Sequence, residues 1–141
     1  MKYLLPELLW EKGTDTQYEK NLKAYTEQLQ TIKDRIHASF WRIYEREQGF
    51  HDYFITGFYY TDSNLCITIK HHGDCFKLTY IGVQSYKITM DDLYHNSNAF
   101  SWGYDEFLPI DDQLLSHEIV FPSRATFKVI FREAKLTKQK K

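Results

Sequence analysis

The stretch "GFYYTDSNLCITIKHHGDCFKLTYIGV", Gly57–Val83, decides the fold, because its apolar residues recur with a period of two through two short turns. Taking "TDSN" (Thr61–Asn64) as the first turn sets Tyr60 against Leu65, Phe58 against Ile67 and Thr56 against Ile69. Taking "HHGD" (His71–Asp74) as the second, with His72-Gly73 at its centre, sets Ile69 against Phe76, Ile67 against Leu78 and Leu65 against Tyr80. Both turns place the same apolar residues on the same face. A half-buried antiparallel meander requires this, since a one-residue slip in either turn would throw the whole set into solvent. On this register Phe54, Phe58 and Tyr60 are expected to supply the buried face of the first strand.

Upstream the period changes from 2 to 3.6. Tyr18, Leu22, Tyr25, Leu29, Ile32, Ile36, Phe40 and Ile43 recur at steps of four and three, which draws one apolar stripe along a helix. Trp41 and Tyr44 widen the stripe near its C-terminal end. Thr16 followed by Glu19 has the spacing of a capping box, and Gly49 is placed to end the helix. About 30 helical residues would reach about 45 Å, more than the roughly 30 Å width of a domain this size. The helix is therefore expected to bend, break in two or overhang to meet a partner. The arm before it, "MKYLLPELLW", ends at Lys12-Gly13 and offers Leu4, Leu5, Leu8, Leu9 and Trp10 for packing on the main body.

Downstream, the sequence predicts a strand near Tyr86–Met90, loops, and a short strand around Trp102–Phe107. "LLSHEIVFPSRATFKVIFREAKL" reads as a hairpin across Pro122–Ala125, with Phe121 matched to Phe127 and Ile119 to Val129. The end, "KLTKQKK", reads as a frayed basic tail. The expectation is an α+β protein, a long N-terminal helix packed on a mainly antiparallel β-meander sheet or open sandwich. It forms a single domain over residues 1–141, with an arm (1–13), a helical region (14–48), an antiparallel β region (50–134) and a tail (135–141).

The chain has 141 residues and a net charge of −1, so it carries no global field to hold a polyanion. Cys66 and Cys75 form no CxxC and are expected as free thiols in a reducing compartment. The opening "MKYLLP" is interrupted by Glu7 and Glu11 before it reaches the apolar length of a secretion signal, and no stretch approaches a membrane span. The expected location is cytoplasmic. Four lysines in the tail are a weak footprint for nucleic acid, which is not expected as a partner.

Two clusters carry candidate chemistry. His51-Asp52 precedes the first strand, and extending the first hairpin sets Asp52 opposite Gly73 and His51 opposite Asp74, beside His71 and His72. Imidazoles and carboxylates gathered there suit a metal ion or acid–base work. The competing reading makes Asp52 an acceptor for backbone N–H groups where the helix ends, with the turn histidines solvated. The second cluster is acidic and aromatic: Asp91, Asp92, Tyr94, Trp102, Tyr104, Asp105, Glu106, Asp111 and Asp112. Aromatic rings beside fixed negative charge suit a basic protein partner; the plainer reading is solvated carboxylates with rings folded inward. On the same register Cys66 and Cys75 share a face about 13 Å apart, too far for a disulfide or for one ion. His117-Glu118 lacks the second His of a zincin, since position 121 is Phe121, and His117 is expected as a satisfied interior or edge histidine. No phosphate-binding glycine loop or nucleophile elbow occurs, and no cofactor is expected.

Phe50-His51-Asp52, the strand "NLCITI" (Asn64–Ile69), "LTYIGV" (Leu78–Val83) and "ATFKVIFREAKL" (Ala125–Leu136) together resemble a family of small uncharacterised bacterial domains. Its members pair an N-terminal helical region with strands that begin at a Leu/Phe-His-Asp motif. The resemblance covers roughly Phe50 to Leu136. The chain departs from it in the short "HHGD" loop and in the Asp91–Trp102 stretch. The family supplies no activity to carry over, although some proteins of this size and architecture look like immunity proteins that neutralise toxins.

Three functions are therefore expected in order of preference. The first is a non-enzymatic protein-binding module, of immunity or antitoxin type, acting through Asp91–Asp112 or the overhanging helix. The second is a metal-assisted hydrolase using His51, Asp52, His71 and His72, with Asp74 beside them. The third is a self-associating domain with the long helix as a homodimer seam.

Overall fold

Both turns of the meander close where the register arithmetic sets them, in the computed structural model of the chain. The structure describes residues 2–3, 15–47, 49–89, 101–122 and 125–139. Thr61 pairs with Asn64 across Asp62 (φ 52) and Ser63 (φ 66), and His71 pairs with Asp74 across His72 (φ 48) and Gly73 (φ 89). Two successive positive φ values match the right-handed twist of the flanking strands, so two-residue loops of this kind hold a hairpin in one register. The pairs Tyr60–Leu65, Phe58–Ile67, Ile67–Leu78 and Ile69–Phe76 all form.

The pairing expected for Thr56 does not form. Ile55 pairs with Ile69 and Gly57 with Thr68, so Thr56 is the extra residue of a β-bulge. Ile55 is buried and Phe58 packs against the core. Three residues apart, they have opposite parity in a regular strand, and one inserted residue lets both point inward. The same shift turns Phe54, expected as buried, out to solvent; Tyr60, also expected as buried, keeps the parity of Phe58 and its pairing with Leu65 and is exposed because β1 lies at the edge of its sheet.

Among the described residues eight strands follow: β1 (Phe54–Thr61), β2 (Asn64–His71), β3 (Asp74–Ile81), β4 (Ser85–Thr89), β5 (Tyr104–Pro109), β6 (Leu115–Val120), β7 (Thr126–Phe131) and β8 (Glu133–Gln139). They make two four-stranded antiparallel sheets, in the orders β1-β2-β3-β8 and β4-β7-β6-β5. Residues from both sheets and from the helical region share one core cluster, in which Leu65, Ile67, Phe76, Leu78 and Tyr80 of the first sheet join Phe107, Ile119, Phe127, Val129 and Phe131 of the second. The chain is an α+β protein.

The C-terminal part differs from expectation in two ways. The hairpin register is two residues tighter, with Ile119 on Phe127 and His117 on Val129. A slip of two preserves every side chain's face, so the apolar pattern alone does not distinguish the alternatives. The expected tail is a strand: Lys135–Gln139 continue β8, which pairs with β3 from Ile81–Glu133 to Cys75–Gln139. A single residue, Arg132, separates β7 from β8, and its N–H donates to the Ile81 carbonyl at 3.0 Å. One apolar run thereby serves both sheets.

The long helix breaks in two. Helix α1 (Asp15–Ile32) runs into a 3₁₀ turn, Lys33–Arg35, then Ile36 is extended and α2 (Ala38–Arg46) begins. His37 caps α2 by accepting the Ser39 N–H at 3.1 Å. Thr16 is already helical in the backbone and so is not the N-cap. Ile36 stays buried through the break, and the stripe continues from Tyr25 and Ile32 to Phe40 and Trp41. The break lets each half meet a different sheet. His37 N–H donates to the Ala134 carbonyl and Leu136 N–H to Ser39 Oγ, so α2 lies against β8. Phe107 N–H donates to the Tyr25 hydroxyl, so α1 lies against β5. After α2, Gly49 (φ +88) donates its N–H back to the Tyr44 carbonyl, a left-handed ending that glycine adopts without strain.

Candidate functional site

The strongest polar constellation among the described residues is inside the core. Along β5 and β6, Asp105, Phe107, His117 and Ile119 share the inward face, as Phe107 pairs with His117 and Asp105 with Ile119. Two polar side chains in an apolar row must find partners or destabilise the fold. His117 Nε2 lies 2.7 Å from Asp105 Oδ2, and its Nδ1 lies 2.6 Å from the Tyr80 hydroxyl on the facing sheet. Tyr44 donates its hydroxyl to Asp105 Oδ1 at 2.9 Å, and Trp102 Nε1–H points at the same oxygen from 3.3 Å. The Phe107 ring lies flat on the imidazole, with centroids 3.8 Å apart and planes at 8°.

Burial, with the Asp105 charge as a smaller contribution, pushes the Tyr80 hydroxyl well above its ordinary range, and Tyr44 moves the same way for the same reasons. Both phenols therefore keep their protons and act as donors. His117 Nδ1 accepts from Tyr80, which leaves the ring proton on Nε2 to donate to Asp105. Tyr80–His117–Asp105 is one directed chain that crosses from sheet to sheet, closed at the carboxylate by Tyr44 and Trp102. Tyr80 and His117 are fully buried and Asp105 is 7% exposed, so the chain has no room for a substrate.

Glu106, one residue further on, faces the opposite side of the same sheet and is 1% exposed. Its carboxylate accepts the backbone N–H groups of Lys2 and Tyr3 at 2.7–3.2 Å, while Asn21 Nδ2 donates to the Tyr3 carbonyl. These bonds fasten the start of the chain to β5 and α1.

Half of the described residues of the expected acidic–aromatic surface are therefore interior. Trp102, Asp105 and Glu106 are buried, and Asp91, Asp92 and Tyr94 lie outside the described residues. Tyr104 is half-buried, with His51 against its ring. Asp111 is exposed, but its carboxylate accepts the N–H groups of Gln113 and Leu114, which hold it below the usual carboxylate range; Asp112 is exposed beside it. Strand parity explains the outcome, because a strand buried on both faces turns Asp105 to one core and Glu106 to the other side.

The histidine-rich end of the first sheet does not gather as the extended register implied. Strand β1 starts only at Phe54, and Asp52 sits before it at φ 71 with its N–H donated to the Trp102 carbonyl. His51 Nδ1 contacts Asp52 Oδ2 at 3.2 Å, whereas Asp74 Oδ1 contacts Lys138 Nζ at 3.3 Å. His71 stacks on Tyr53 at 4.5 Å, with His72 edge-on against it. Burial and the Glu47 charge push the Tyr53 hydroxyl up to about 12. Asp52, His71 and His72 do line one hollow, but Lys70 lines it too. Among the described residues no three His, Cys, Asp or Glu side chains come together as ligands for one ion.

A surface that pattern reading missed lies between the edge strands β1 and β4. Tyr60, Tyr86 and Ile88 are 50%, 48% and 39% exposed, and the rings of Tyr60 and Tyr86 are 5.4 Å apart. Tyr86 and Ile88 have the inward parity of their sheet, since they pair with the buried Val129 and Phe127. Only their position on an edge leaves them in water. The helices cover the sides at β8 and β5, so this mouth is the apolar opening of the sandwich among the described residues.

No family model matches the chain, and no curated protein shows significant similarity to it. No helix among the described residues is long and apolar enough to cross a membrane.

Proposed function

We propose that this chain is a non-enzymatic protein-binding module whose partner seats on the mouth between β1 and β4. The observation that carries the reading is the exposed group Tyr60, Tyr86 and Ile88, with Phe58 behind it packed on Phe127 at 5.4 Å. Large amphipathic rings left in water are the side chains that contribute most when an interface desolvates them. The enclosed Tyr80–His117–Asp105 chain supports the same reading from the other direction, because its acid–base groups are spent on packing two sheets together.

The narrower form is an immunity-type protein that neutralises a toxin domain, and it rests on size and architecture alone. The test is capture from the native cell with the wild-type chain and with the Tyr60→Ser/Tyr86→Ser double variant. Both positions are exposed, so the variant keeps the wild-type circular dichroism. A partner retained by the wild type and lost by the variant supports the reading. A partner retained equally by both overturns it.

A further inference from the structure

The geometry points to β4 as a docking edge for an extended segment of a partner protein, which adds to the sheet as a fifth strand and carries an acidic residue flanked by apolar ones. This rests on the protein-binding reading and names the partner's chemistry. All five residues of β4 are exposed; one side is bonded to β7, and among the described residues no strand pairs with the other. Such an edge presents a row of unpaired N–H and C=O groups that templates another strand.

The side chains specify what fits. On the outward face one row crosses all four strands as Glu106, Glu118, Lys128 and Lys87, in order from β5 to β4. Lys87 directly opposes Lys128, a like-charge pair that destabilises a sheet, and neither lysine is ion-paired among the described residues. The row ends on a cation at the open edge, and an acidic residue opposite Lys87 continues it favourably. On the inward face Tyr86 and Ile88 flank Lys87 in sequence, so the incoming residues on either side of the acid are apolar and close the mouth toward Tyr60. The same lysine disfavours a second copy of this chain, since self-pairing about the centre of β4 sets Lys87 against Lys87.

The probes are two capped nine-residue peptides of alternating valine and threonine, one with a central glutamate and one with a central lysine. Amide shifts of ¹⁵N-labelled protein locate binding, and titration gives affinity. The glutamate peptide is expected to perturb Ser85–Thr89 and to bind about fivefold more tightly than the lysine peptide. The Lys87→Glu variant, exposed and folded, reverses the preference. Binding of neither peptide at millimolar concentration, equal binding of both, shifts confined elsewhere, or a dimer with protected β4 amides each overturns the proposal. The capture experiment with Tyr60 and Tyr86 is independent of it, so strand addition can fail while the aromatic mouth still holds a partner.

Discussion

His117 and Asp105 are diagonal neighbours on adjacent strands, and the imidazole Nε2 approaches the carboxylate to 2.7 Å in the interior of the sandwich. Asp105 lies opposite Ile119 rather than opposite His117, so the contact bridges two residue pairs of the ladder. With Tyr80 on the facing sheet and Tyr44 on α2, it ties three layers of the fold through directed bonds, where apolar packing by itself has no preferred direction.

Removing the carboxylate should be the most damaging change in this chain of bonds. Asp105→Ala leaves the donors of Tyr44, Trp102 and His117 without an acceptor in the core. The expected loss is about 3–5 kcal/mol by urea unfolding, against about 1–3 kcal/mol for Tyr80→Phe, which orphans one acceptor. Equal and small effects would show that the bonds contribute little beyond packing.

Alkali should unfold the protein through its interior tyrosines. Tyr25, Tyr44 and Tyr80 have folded pKa values raised by burial above their unfolded value near 10. The folded state then holds more protons than the unfolded one, so their contribution is intact below pH 10 and falls as pH rises beyond it. Three such groups give a slope of about 4 kcal/mol per pH unit. Absorbance at the tyrosinate band should show these three ionising together with the loss of circular dichroism, after the exposed tyrosines.

Two glycines should respond differently to alanine. At Gly103 a Cβ would sit 2.4 Å from the Val120 carbonyl oxygen, a backbone atom of a central strand that cannot swing away. At Gly57 the nearest atoms, at 2.8 Å, are the far end of the exposed Tyr59 side chain. Gly103→Ala should cost about 2 kcal/mol or more, and Gly57→Ala about 0.5 kcal/mol or less, in thermal or denaturant unfolding.

Deletion of residues 135–141 should abolish the cooperative transition. Those residues include most of β8, whose Leu136 is buried opposite Leu78. Retention of a wild-type melting curve would mean that β3 is stable as an edge.

The fold class was legible in the sequence wherever a period and a turn agreed. The meander from Phe58 to Ile81 is local: two-residue loops fix the pairing, and the alternation tells which face is apolar. The helical stripe and its ending at Gly49 are local for the same reason. The bulge at Thr56 was also encoded, in the odd spacing of Ile55 and Phe58, but only the demand that both be buried reveals it. The candidate sites were less legible. Acidic residues in an irregular stretch look solvated until strand parity turns Asp105 one way and Glu106 the other.

By itself, then, the amino-acid sequence determined the fold class, the apolar stripe of the helical region and the register of the meander from Phe58 to Ile81, since each depends on neighbours a few residues away. The tertiary structure alone decided where the helix breaks, that Lys135–Gln139 form a strand, and that Tyr80, His117 and Asp105 meet. Each of those depends on two surfaces from distant parts of the chain competing for the same core. Burial is a property of the assembled layers, and it selects which polar residues must find one another and which aromatic ones, on the edge strand of a sheet, are left in water.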